Sequence, residues 1–249
     1  MSGGVTRINL WSGPRNVSTA LMYSFAERAD TRVVDEPLYA HYLARTDVVH
    51  PGEEDVLAAQ DHDGNAVVRD VILGPCDRPV LFAKQMAHHI DGLDRGFLRD
   101  CVNVLLIRDP REMLTSLVRN LPAPSIRDTG LSHQTELLSE LDAMGIEPPI
   151  VDSRLLLLDP PRILCLLCER IGIPFDEGML AWEPGPRAED GVWAPHWYAR
   201  VHESTGFAPY RRKEEEVPEA LLPLLDECLE HYGVLVSRAL GNDTTESSS

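Results

Sequence analysis

The sequence lacks the features that mark secreted, membrane-bound and nucleic-acid-binding proteins. It has no apolar run long enough to span a bilayer, and its first residues lack the charged-then-apolar pattern of a signal peptide. Basic residues are scarce, with 23 lysines and arginines against 40 aspartates and glutamates, and the formal net charge is -17. A surface with that charge repels nucleic acids and anionic membranes. We therefore expect a cytoplasmic protein with no nucleic-acid or membrane partner, in which any anion site is a local basic pocket.

Cysteines are few and irregularly spaced. The chain has 5 of them, an odd number, which favours reduced thiols over a disulfide framework. Cys165 and Cys168 form a C-x-x-C pair within an apolar helical run, without a second pair or a histidine at zinc spacing nearby. We interpret both as buried helix cysteines. No cluster in the sequence has metal-ligand spacing, so no metal is expected.

The pattern of apolar segments predicts the fold. The chain has 249 residues, of which 43% are hydrophobic, enough for one large core. Short apolar stretches at residues 8–12, 31–34, 79–84, 102–107 and 150–152 predict strands, and helical patterns follow several of them. We expect a three-layer, P-loop-like α/β fold with a central parallel sheet of about five strands flanked by helices. Residues 1–240 are predicted to form one domain, monomeric or homodimeric, and residues 241–249 a disordered tail.

The first strand runs into a polar loop and then into a helix. We call residues 13–17 the anion loop, because the unpaired N–H groups and dipole of a following helix bind anions. Arg15 adds a fixed positive charge, and Ser18 and Thr19 add hydroxyl donors at the helix start. The alternative is that Ser18 or Thr19 only caps the helix. The predicted cofactor-binding residues here are Gly13, Pro14, Arg15, Asn16, Val17, Ser18 and Thr19.

The anion loop does not match the phosphate loop of ATP-binding proteins. Val17 replaces its second glycine, and no lysine precedes the hydroxyl pair. The loop instead resembles the first cofactor loop of sulfotransferases that use 3′-phosphoadenylyl sulfate (PAPS). Carbohydrate and bacterial members of that family typically read Pro-Arg-Ser-Gly-Ser-Thr-Leu-Leu, against Pro-Arg-Asn-Val-Ser-Thr-Ala-Leu here. The resemblance implies that the loop binds the 5′-phosphosulfate of PAPS and that Arg15 stabilises the transferring group.

A second motif follows the strand at residues 102–107. Arg108 ends that strand, Pro110 suits the first turn of the next helix, and Ser116 follows about two turns later. This arrangement is similar to the second signature of the sulfotransferases, which implies that Arg108 and Ser116 bind the 3′-phosphate of PAPS. The alternatives are a salt bridge from Arg108 to Asp109 or Glu112 and an ordinary helix position for Ser116. Two such motifs in the expected order favour the sulfotransferase interpretation.

A basic run near the C-terminal end is less specific. Arg211 and Arg212 stand where the family places a basic cluster on the 3′-phosphate, so the resemblance implies that both bind the cofactor. The usual Arg-Lys-Gly triplet is absent, because Glu214 follows Lys213. The alternative is a solvated charge run.

The resemblance also implies candidates for the catalytic groups. Glu36 follows the second strand, where a glutamate deprotonates the acceptor hydroxyl in carbohydrate and tyrosyl-protein sulfotransferases; its alternative role is to cap the next helix. Lys84 matches a lysine that contacts the transferring group in cytosolic sulfotransferases. A buried lysine is otherwise costly unless it is paired. The histidine that follows this lysine in cytosolic sulfotransferases is the catalytic base; it is out of register here, and His88 is our candidate for it, with His89 beside it.

The resemblance covers roughly residues 6 to 235 and implies sulfuryl transfer from PAPS to a hydroxyl of a small-molecule acceptor. It extends to short sulfotransferase-like proteins sometimes labelled branched-chain aminotransferase-like, although the chain offers no convincing lysine site for pyridoxal phosphate. Aromatic residues between Trp182 and Phe207 either pack on the core or line the acceptor pocket. Two alternatives remain, namely a kinase using ATP and magnesium, with Asp35 on the metal, and a non-catalytic nucleotide-binding module.

Overall fold

The computed structural model describes residues 4–119 and 121–242. Its centre is a five-stranded parallel sheet in the order β2-β3-β1-β4-β5, flanked by helices, which confirms the predicted fold class. The strands are β1 (Thr6–Ser12), β2 (Thr31–Asp35), β3 (Val80–Met86), β4 (Val102–Ile107) and β5 (Ile150–Asp152). Of the predicted tail at 241–249, residues 243–249 lie outside the described residues, and the side chain of Asn242 donates to the carbonyl of Val236 at 2.7 Å.

The strands form where the sequence has continuous apolar runs. The last five residues of β1 are buried, as are the last five of β4, which is the pattern of parallel strands covered on both faces. The register of β2 and β3 pairs Asp35 with Lys84. β3 continues past Lys84 to Met86, so the expectation that this lysine ends the strand is wrong by two residues.

The helices are α1 (Ser18–Ala26), α2 (Tyr39–Arg45), α3 (Glu53–Ala59), α4 (Gly64–Val67), α5 (Pro110–Leu117), α6 (Ile126–Thr129), α7 (Leu131–Ala143), α8 (Ser153–Leu158), α9 (Pro160–Ile171), α10 (Ala194–Trp197), α11 (Ala199–His202) and α12 (Leu222–Val236). Short 3₁₀ helices span Ala87–Ile90, Arg95–Asp100, Glu177–Leu180 and Glu219–Leu221, and a π-helical turn spans Val68–Ile72. Among the described helices, none combines the length and apolar character needed to cross a bilayer.

The chain separates into two compact units. The first comprises the described part of Met1–Leu10 together with Ser18–Asn103 and Gly178–Phe207. In it, the rings of Phe25 and Phe82 stack with their centroids 4.1 Å apart. The second comprises Trp11–Val17, Val104–Glu177 and the described part of Ala208–Ser249. The prediction of one domain over residues 1–240 stays a prediction.

The C-x-x-C pair lies on α9, which runs from Pro160 to Ile171 and is followed by a left-handed Gly172 as its C-cap. Cys168 is buried, as expected, but Cys165 is exposed, so the prediction that both are buried was wrong for Cys165. Their three-residue separation puts the two side chains on neighbouring faces of the helix, and only one face packs on the core.

Candidate functional site

The anion loop connects β1 to α1 and is fixed in place by Gly13. A Cβ atom at this position would lie 2.5 Å from the carbonyl oxygen of Thr129, closer than van der Waals contact allows. Gly13 is therefore required by the close approach of two backbones in the second unit. This close approach is a structural reason for glycine at position 13. The predicted role of Gly13 in binding an anion is separate from it.

Asn16 uses its side chain to hold the loop. Its Oδ1 accepts a hydrogen bond from the Val17 amide at 2.9 Å, and its Nδ2 donates to the carbonyl of Leu106 at 3.0 Å. The hydroxyl of Ser153 lies within hydrogen-bond distance of Asn16 Oδ1 and of the carbonyl of Ile107, and it can donate its one hydrogen to either. Both the oxygen and the nitrogen of the Asn16 side-chain amide are thus hydrogen-bonded to the protein and hold the loop in place. The predicted cofactor contacts of Asn16 and Val17 stay predictions.

Arg15 links the anion loop to the second motif. Its Nε donates to the hydroxyl of Ser116 at 3.2 Å, and its carbonyl accepts a hydrogen bond from Nη1 of Arg108 at 2.5 Å. Arg15 also has φ of 56°, in the left-handed region that a non-glycine residue rarely adopts. Such strain persists only where the surroundings hold it, and it concentrates at functional sites. The structure therefore brings together Arg15, Arg108 and Ser116, while their predicted contacts with the phosphosulfate and the 3′-phosphate of PAPS stay predictions.

Arg108 also forms one of the salt bridges considered as an alternative. Its Nη2 lies 3.2 Å from Oε2 of Glu112, whose other oxygen accepts a hydrogen bond from the hydroxyl of Tyr210 at 2.6 Å. Asp109 instead caps α5 by accepting a hydrogen bond from the amide of Arg111 at 2.9 Å. Arg108 is therefore oriented by Glu112 while it remains part of the group formed with Arg15.

The basic run contributes Lys213 to this group. Its Nζ donates to the carbonyl of Glu112 at 2.9 Å and to the hydroxyl of Thr115 at 3.4 Å. Burial lowers the pKa of Lys213, and the neighbouring charge of Arg108 lowers it further. Arg211 and Arg212 are exposed on the same run. Their predicted contacts with the 3′-phosphate stay predictions, whereas Lys213 belongs to the same basic run but is not among the predicted cofactor-binding residues.

The space directly against the loop is small. A cavity of about 10 Å³, lined in part by Gly13, Asn16, Arg108 and Gln134, has room for about one water molecule. This cavity is therefore too small to hold a nucleotide. Ser18 and Thr19 begin α1 in the first unit, with Ser18 buried and Thr19 half-buried, and their anion contacts stay predictions.

The first unit contains a buried group of charges that we call the Lys84 cluster, formed by Lys84, Asp35, Glu36 and Tyr198. The ammonium of Lys84 donates to Asp35 Oδ1 at 2.9 Å, to Glu36 Oε1 at 2.6 Å and to the Tyr198 hydroxyl oxygen at 2.6 Å. These bonds use all three of its hydrogens. Burial opposes the charge, but the carboxylates of Asp35 and Glu36 outweigh it and hold the pKa of Lys84 well above its usual value.

Asp35 is fully engaged within this cluster. Besides Lys84, it accepts hydrogen bonds from the Tyr198 hydroxyl at 2.7 Å and from the Gly191 amide at 3.1 Å, both on Oδ2. Among the described residues, no group of three or more histidine, cysteine, aspartate or glutamate side chains is arranged to hold a metal ion. The role of Asp35 as a magnesium ligand, which the kinase alternative needs, gains no support from these contacts.

Glu36 is held in an unusual conformation. Its φ is 37°, and its amide donates to the carbonyl of Lys84 at 2.8 Å. Burial raises the pKa of Glu36; the positive charge of Lys84 opposes this, and the negative charge of Asp35 adds to it. The position before α2 is Leu38, and the helix has no side-chain cap. The alternative role of Glu36 as a helix cap is therefore wrong.

The imidazole that faces Glu36 is His89. Its Nδ1 lies 3.9 Å from Glu36 Oε2, and its ring stacks on Tyr39 and Tyr42 at centroid distances of 5.0 Å and 4.8 Å. Burial and neighbouring positive charges hold the pKa of His89 well below its usual value. His88 is half-buried, with its ring against Tyr42 and His89. Its role as a base stays a prediction.

The aromatic segment contributes mainly to packing in the first unit. Trp193 and Tyr198 belong to a buried cluster with Tyr39, and the ring of Trp182 meets that of Tyr23 edge-on at 6.2 Å. Core packing is thus the correct interpretation for these residues. The hydroxyl of Tyr198 nevertheless belongs to the Lys84 cluster, and no pattern in the sequence indicates this contact.

Comparison with known proteins places the chain among sulfotransferases. The sequence profile of the sulfotransferase domain family matches residues 6–239. Two Arabidopsis thaliana proteins, named branched-chain-amino-acid aminotransferase-like protein 2 and protein 1, are 40% and 39% identical to it over 229 and 242 residues. The alignments cover 92% and 97% of this chain but 41% and 43% of those proteins. The chain therefore spans less than half the length of these curated relatives.

Solved structures share the fold. The sulfotransferase domain from the curacin biosynthetic pathway has a TM-score of 0.55 at 17% identity, with 94% of this chain and 98% of that domain covered. A sulfotransferase from Alicyclobacillus acidocaldarius has a TM-score of 0.53 at 13% identity, with 94% and 97% covered. At such identities the similarity shows the fold alone. Together with the profile match over nearly the whole chain, it means that this chain belongs to the sulfotransferase domain family.

Proposed function

We propose that the protein transfers a sulfuryl group from PAPS to a hydroxyl of a small molecule. The observation that carries the proposal is the convergence of Arg15, Arg108 and Ser116, because it joins two motifs that are far apart in the sequence. Lys213 adds a further ammonium beside Thr115. Three cationic side chains in an acidic protein form the local basic pocket that an anionic cosubstrate requires.

The donors of the second unit suit the phosphate-bearing parts of PAPS. Guanidinium groups bind phosphate and sulfate oxygens with two parallel hydrogen bonds, so Arg108, with Ser116 and Lys213, is our candidate for holding the 3′-phosphate. Arg15 and the anion loop would hold the phosphosulfate and stabilise the negative charge that grows during transfer. When bound, PAPS would supply an activated sulfuryl group and leave as adenosine 3′,5′-bisphosphate.

We assign the role of general base to Glu36. A general base must attract the proton of the acceptor, and burial raises the pKa of Glu36, so its carboxylate attracts a proton more strongly than an exposed one. Glu36 would take the proton of the acceptor hydroxyl while the oxygen of that hydroxyl forms its bond to sulfur. Lys84 has no hydrogen left for the transferring group in this arrangement. We therefore propose that it positions Glu36 and tunes its pKa.

The proposal is tested by a thermal-shift titration with adenosine 3′,5′-bisphosphate, compared with ATP and magnesium. A ligand that binds only the folded state raises the unfolding midpoint, by an amount that grows with concentration above Kd. We expect the bisphosphate to raise it and ATP with magnesium to raise it less. A shift with ATP and magnesium alone would replace the proposal with a kinase.

A further inference from the structure

The backbone of Glu36, the proposed base, has a conformation that its local sequence disfavours. Its φ of 37° lies in the left-handed region, which residues other than glycine rarely adopt. Pro37 follows it, and a residue that precedes a proline favours extended backbone. Neither the residue type nor its neighbour in the sequence therefore accounts for this conformation. Such backbone strain persists only where surrounding contacts hold it.

Three hydrogen bonds hold the backbone of Glu36 on its two sides. Its amide donates to the carbonyl of Lys84 at 2.8 Å. Its carbonyl accepts one hydrogen bond from the amide of Tyr39 at 3.0 Å and another from Nε2 of Gln60 at 3.1 Å. The bonds with Lys84 and Tyr39 use backbone groups, whereas the bond with Gln60 depends on a side chain. A substitution at position 60 can therefore remove it.

The side-chain amide of Gln60 joins Glu36 to the first turn of α2. While its Nε2 donates to Glu36, its Oε1 accepts a hydrogen bond from the amide of Ala40 at 3.0 Å. A backbone carbonyl only accepts and a backbone amide only donates, so the two partners fix the orientation of the Gln60 amide. Glutamate would place an acceptor against the carbonyl of Glu36, and methionine would form neither bond. Among side chains of this length, glutamine satisfies both partners.

Gln60 is itself anchored by α3. Its backbone amide donates to the carbonyl of Val56 at 3.1 Å, where that helix ends. Val56 is fully buried in a hydrophobic cluster that includes Ala40 of α2, and Leu57 packs against the same cluster. Gln60 therefore reaches Glu36 from a helix that is packed on α2 within the first unit.

A fixed carbonyl of Glu36 also fixes the direction of its side chain. Rotation about the N–Cα bond moves the Cβ atom and the carbonyl together, and the amide of Glu36 is already held by Lys84. In this conformation Glu36 Oε1 accepts a hydrogen bond from the ammonium of Lys84 at 2.6 Å. A change to the extended backbone that Pro37 favours would move the carboxylate relative to Lys84.

We propose that Gln60 is a positioning residue for the base of the transfer reaction. Its amide keeps the backbone of Glu36 in the left-handed conformation and thereby holds the carboxylate beside Lys84. Gln60 acts through Glu36 rather than on the reacting atoms. The inference rests on the proposed sulfotransferase function, because that function gives Glu36 the role of base.

The titration of the Glu36 carboxyl tests this role without cosubstrate or acceptor. Carbon-13 spectra of the full chain, labelled at the side-chain carboxyls of glutamate, follow the titration, and Glu36→Gln identifies the resonance. Burial raises the pKa of this carboxyl. The titratable groups that lie near it include Lys84, Asp35, His89, Tyr39 and Tyr198. Substitution of Gln60 alters none of these groups, so a change in the titration reports a movement of Glu36.

We expect Gln60→Met to lower the pKa of Glu36 toward that of an exposed glutamate, because the released carboxylate gains access to solvent. Gln60→Asn, whose amide is one carbon shorter and cannot span Glu36 and Ala40, should shift it in the same direction. Leu57→Ala is the control, since it trims packing against the same cluster and leaves both bonds of Gln60 in place. It should lower the stability without changing the pKa. A pKa that equals or exceeds the wild-type value in both Gln60 variants, or an equal fall in Leu57→Ala, would overturn the inference.

Sulfuryl transfer gives a second readout. With an acceptor that the wild-type chain sulfates, Gln60→Met should lower the transfer rate by about tenfold to a hundredfold, as misplacement of a catalytic group does. The affinity for adenosine 3′,5′-bisphosphate should not change, and an unchanged transfer rate would also contradict the inference. A wild-type chain that neither binds the bisphosphate nor transfers a sulfuryl group would instead count against the proposed function. The carboxyl titration would still decide whether Gln60 holds Glu36.

Discussion

The anion loop and the Lys84 cluster both bring together charged side chains from distant stretches of the chain, but they differ in the sign of those charges and in how far the charges are exposed. Around the loop, Arg15, Arg108 and Lys213 bring positive charges together and leave parts of them accessible, an arrangement that an anion would stabilise. In the cluster, Lys84 is 1% exposed and every hydrogen of its ammonium is bonded. The comparison teaches that the first group keeps part of its charge exposed, as our proposal of an anion site requires, whereas the second is closed around Lys84 and Glu36.

The largest effect we predict is on stability, from Lys84→Met. Removing the ammonium leaves two buried carboxylates without their counter-ion, which should lower the free energy of unfolding by about 3 to 5 kcal/mol. Urea denaturation measures the loss. The control is Arg238→Met, which breaks a partly exposed pair with Asp142 and should cost less than about 1 kcal/mol. Equal losses in the two variants would contradict the role of the cluster.

Arg15→Ala tests the other side of the comparison. If Arg15 stabilises charge that develops during transfer, the rate should fall by about 10²- to 10³-fold. Binding of adenosine 3′,5′-bisphosphate should weaken much less, and a thermal-shift titration measures it. Arg111→Ala, which removes an exposed arginine of α5, should change neither quantity. Small and equal losses of transfer and binding in Arg15→Ala would count against its proposed role.

Gly13→Ala separates the shape of the loop from its charge. The added Cβ would press on the carbonyl of Thr129, so the loop or its neighbour must shift, at a cost of about 1 to 3 kcal/mol. We expect bisphosphate binding to weaken although no charge is lost. Gly4→Ala is the control, since a Cβ there has no neighbour within 4 Å. Normal stability and binding in Gly13→Ala would show that the loop tolerates the contact.

The smallest predicted effect distinguishes Lys213 from its neighbours. Lys213→Met should weaken bisphosphate binding by roughly threefold to tenfold, because its ammonium lies on Thr115 beside Ser116. Arg211→Met, from the exposed part of the same run, should change the affinity by less than about twofold. Side-by-side titrations at one salt concentration measure both. The reverse order would restore Arg211 as the phosphate ligand.

The same comparison explains how much could be predicted from the sequence. The strands, the loop and the positions of Arg15, Arg108 and Ser116 follow from local patterns, because a strand, a glycine turn and a helix fix where these side chains start. The partners within the Lys84 cluster do not follow from local patterns. Whether His88 or His89 faces Glu36 depends on the turn of the 3₁₀ helix Ala87–Ile90.

Hydrogen-bond partners that are far apart in the sequence could not be predicted for a related reason. Tyr198 reaches Lys84 from a separate segment, and its single hydroxyl gives no periodic signal. Ser153 anchors Asn16 in the same way, from the residue after β5. Buried polar groups must find partners wherever the fold brings them, so their identity depends on tertiary packing. The residues next to a buried polar group in the sequence therefore carry little information about the identity of its hydrogen-bond partner.

The most direct test of the account measures sulfuryl transfer from ³⁵S-labelled PAPS to a panel of phenols and aliphatic alcohols, with wild-type protein and Glu36→Gln side by side. We predict labelled product with the wild-type chain and a rate about 10²- to 10⁴-fold lower with Glu36→Gln, while both bind adenosine 3′,5′-bisphosphate equally. Labelled product at equal rates would remove Glu36 as the base. Bisphosphate binding without labelled product from any acceptor in the panel would contradict the proposed transfer reaction.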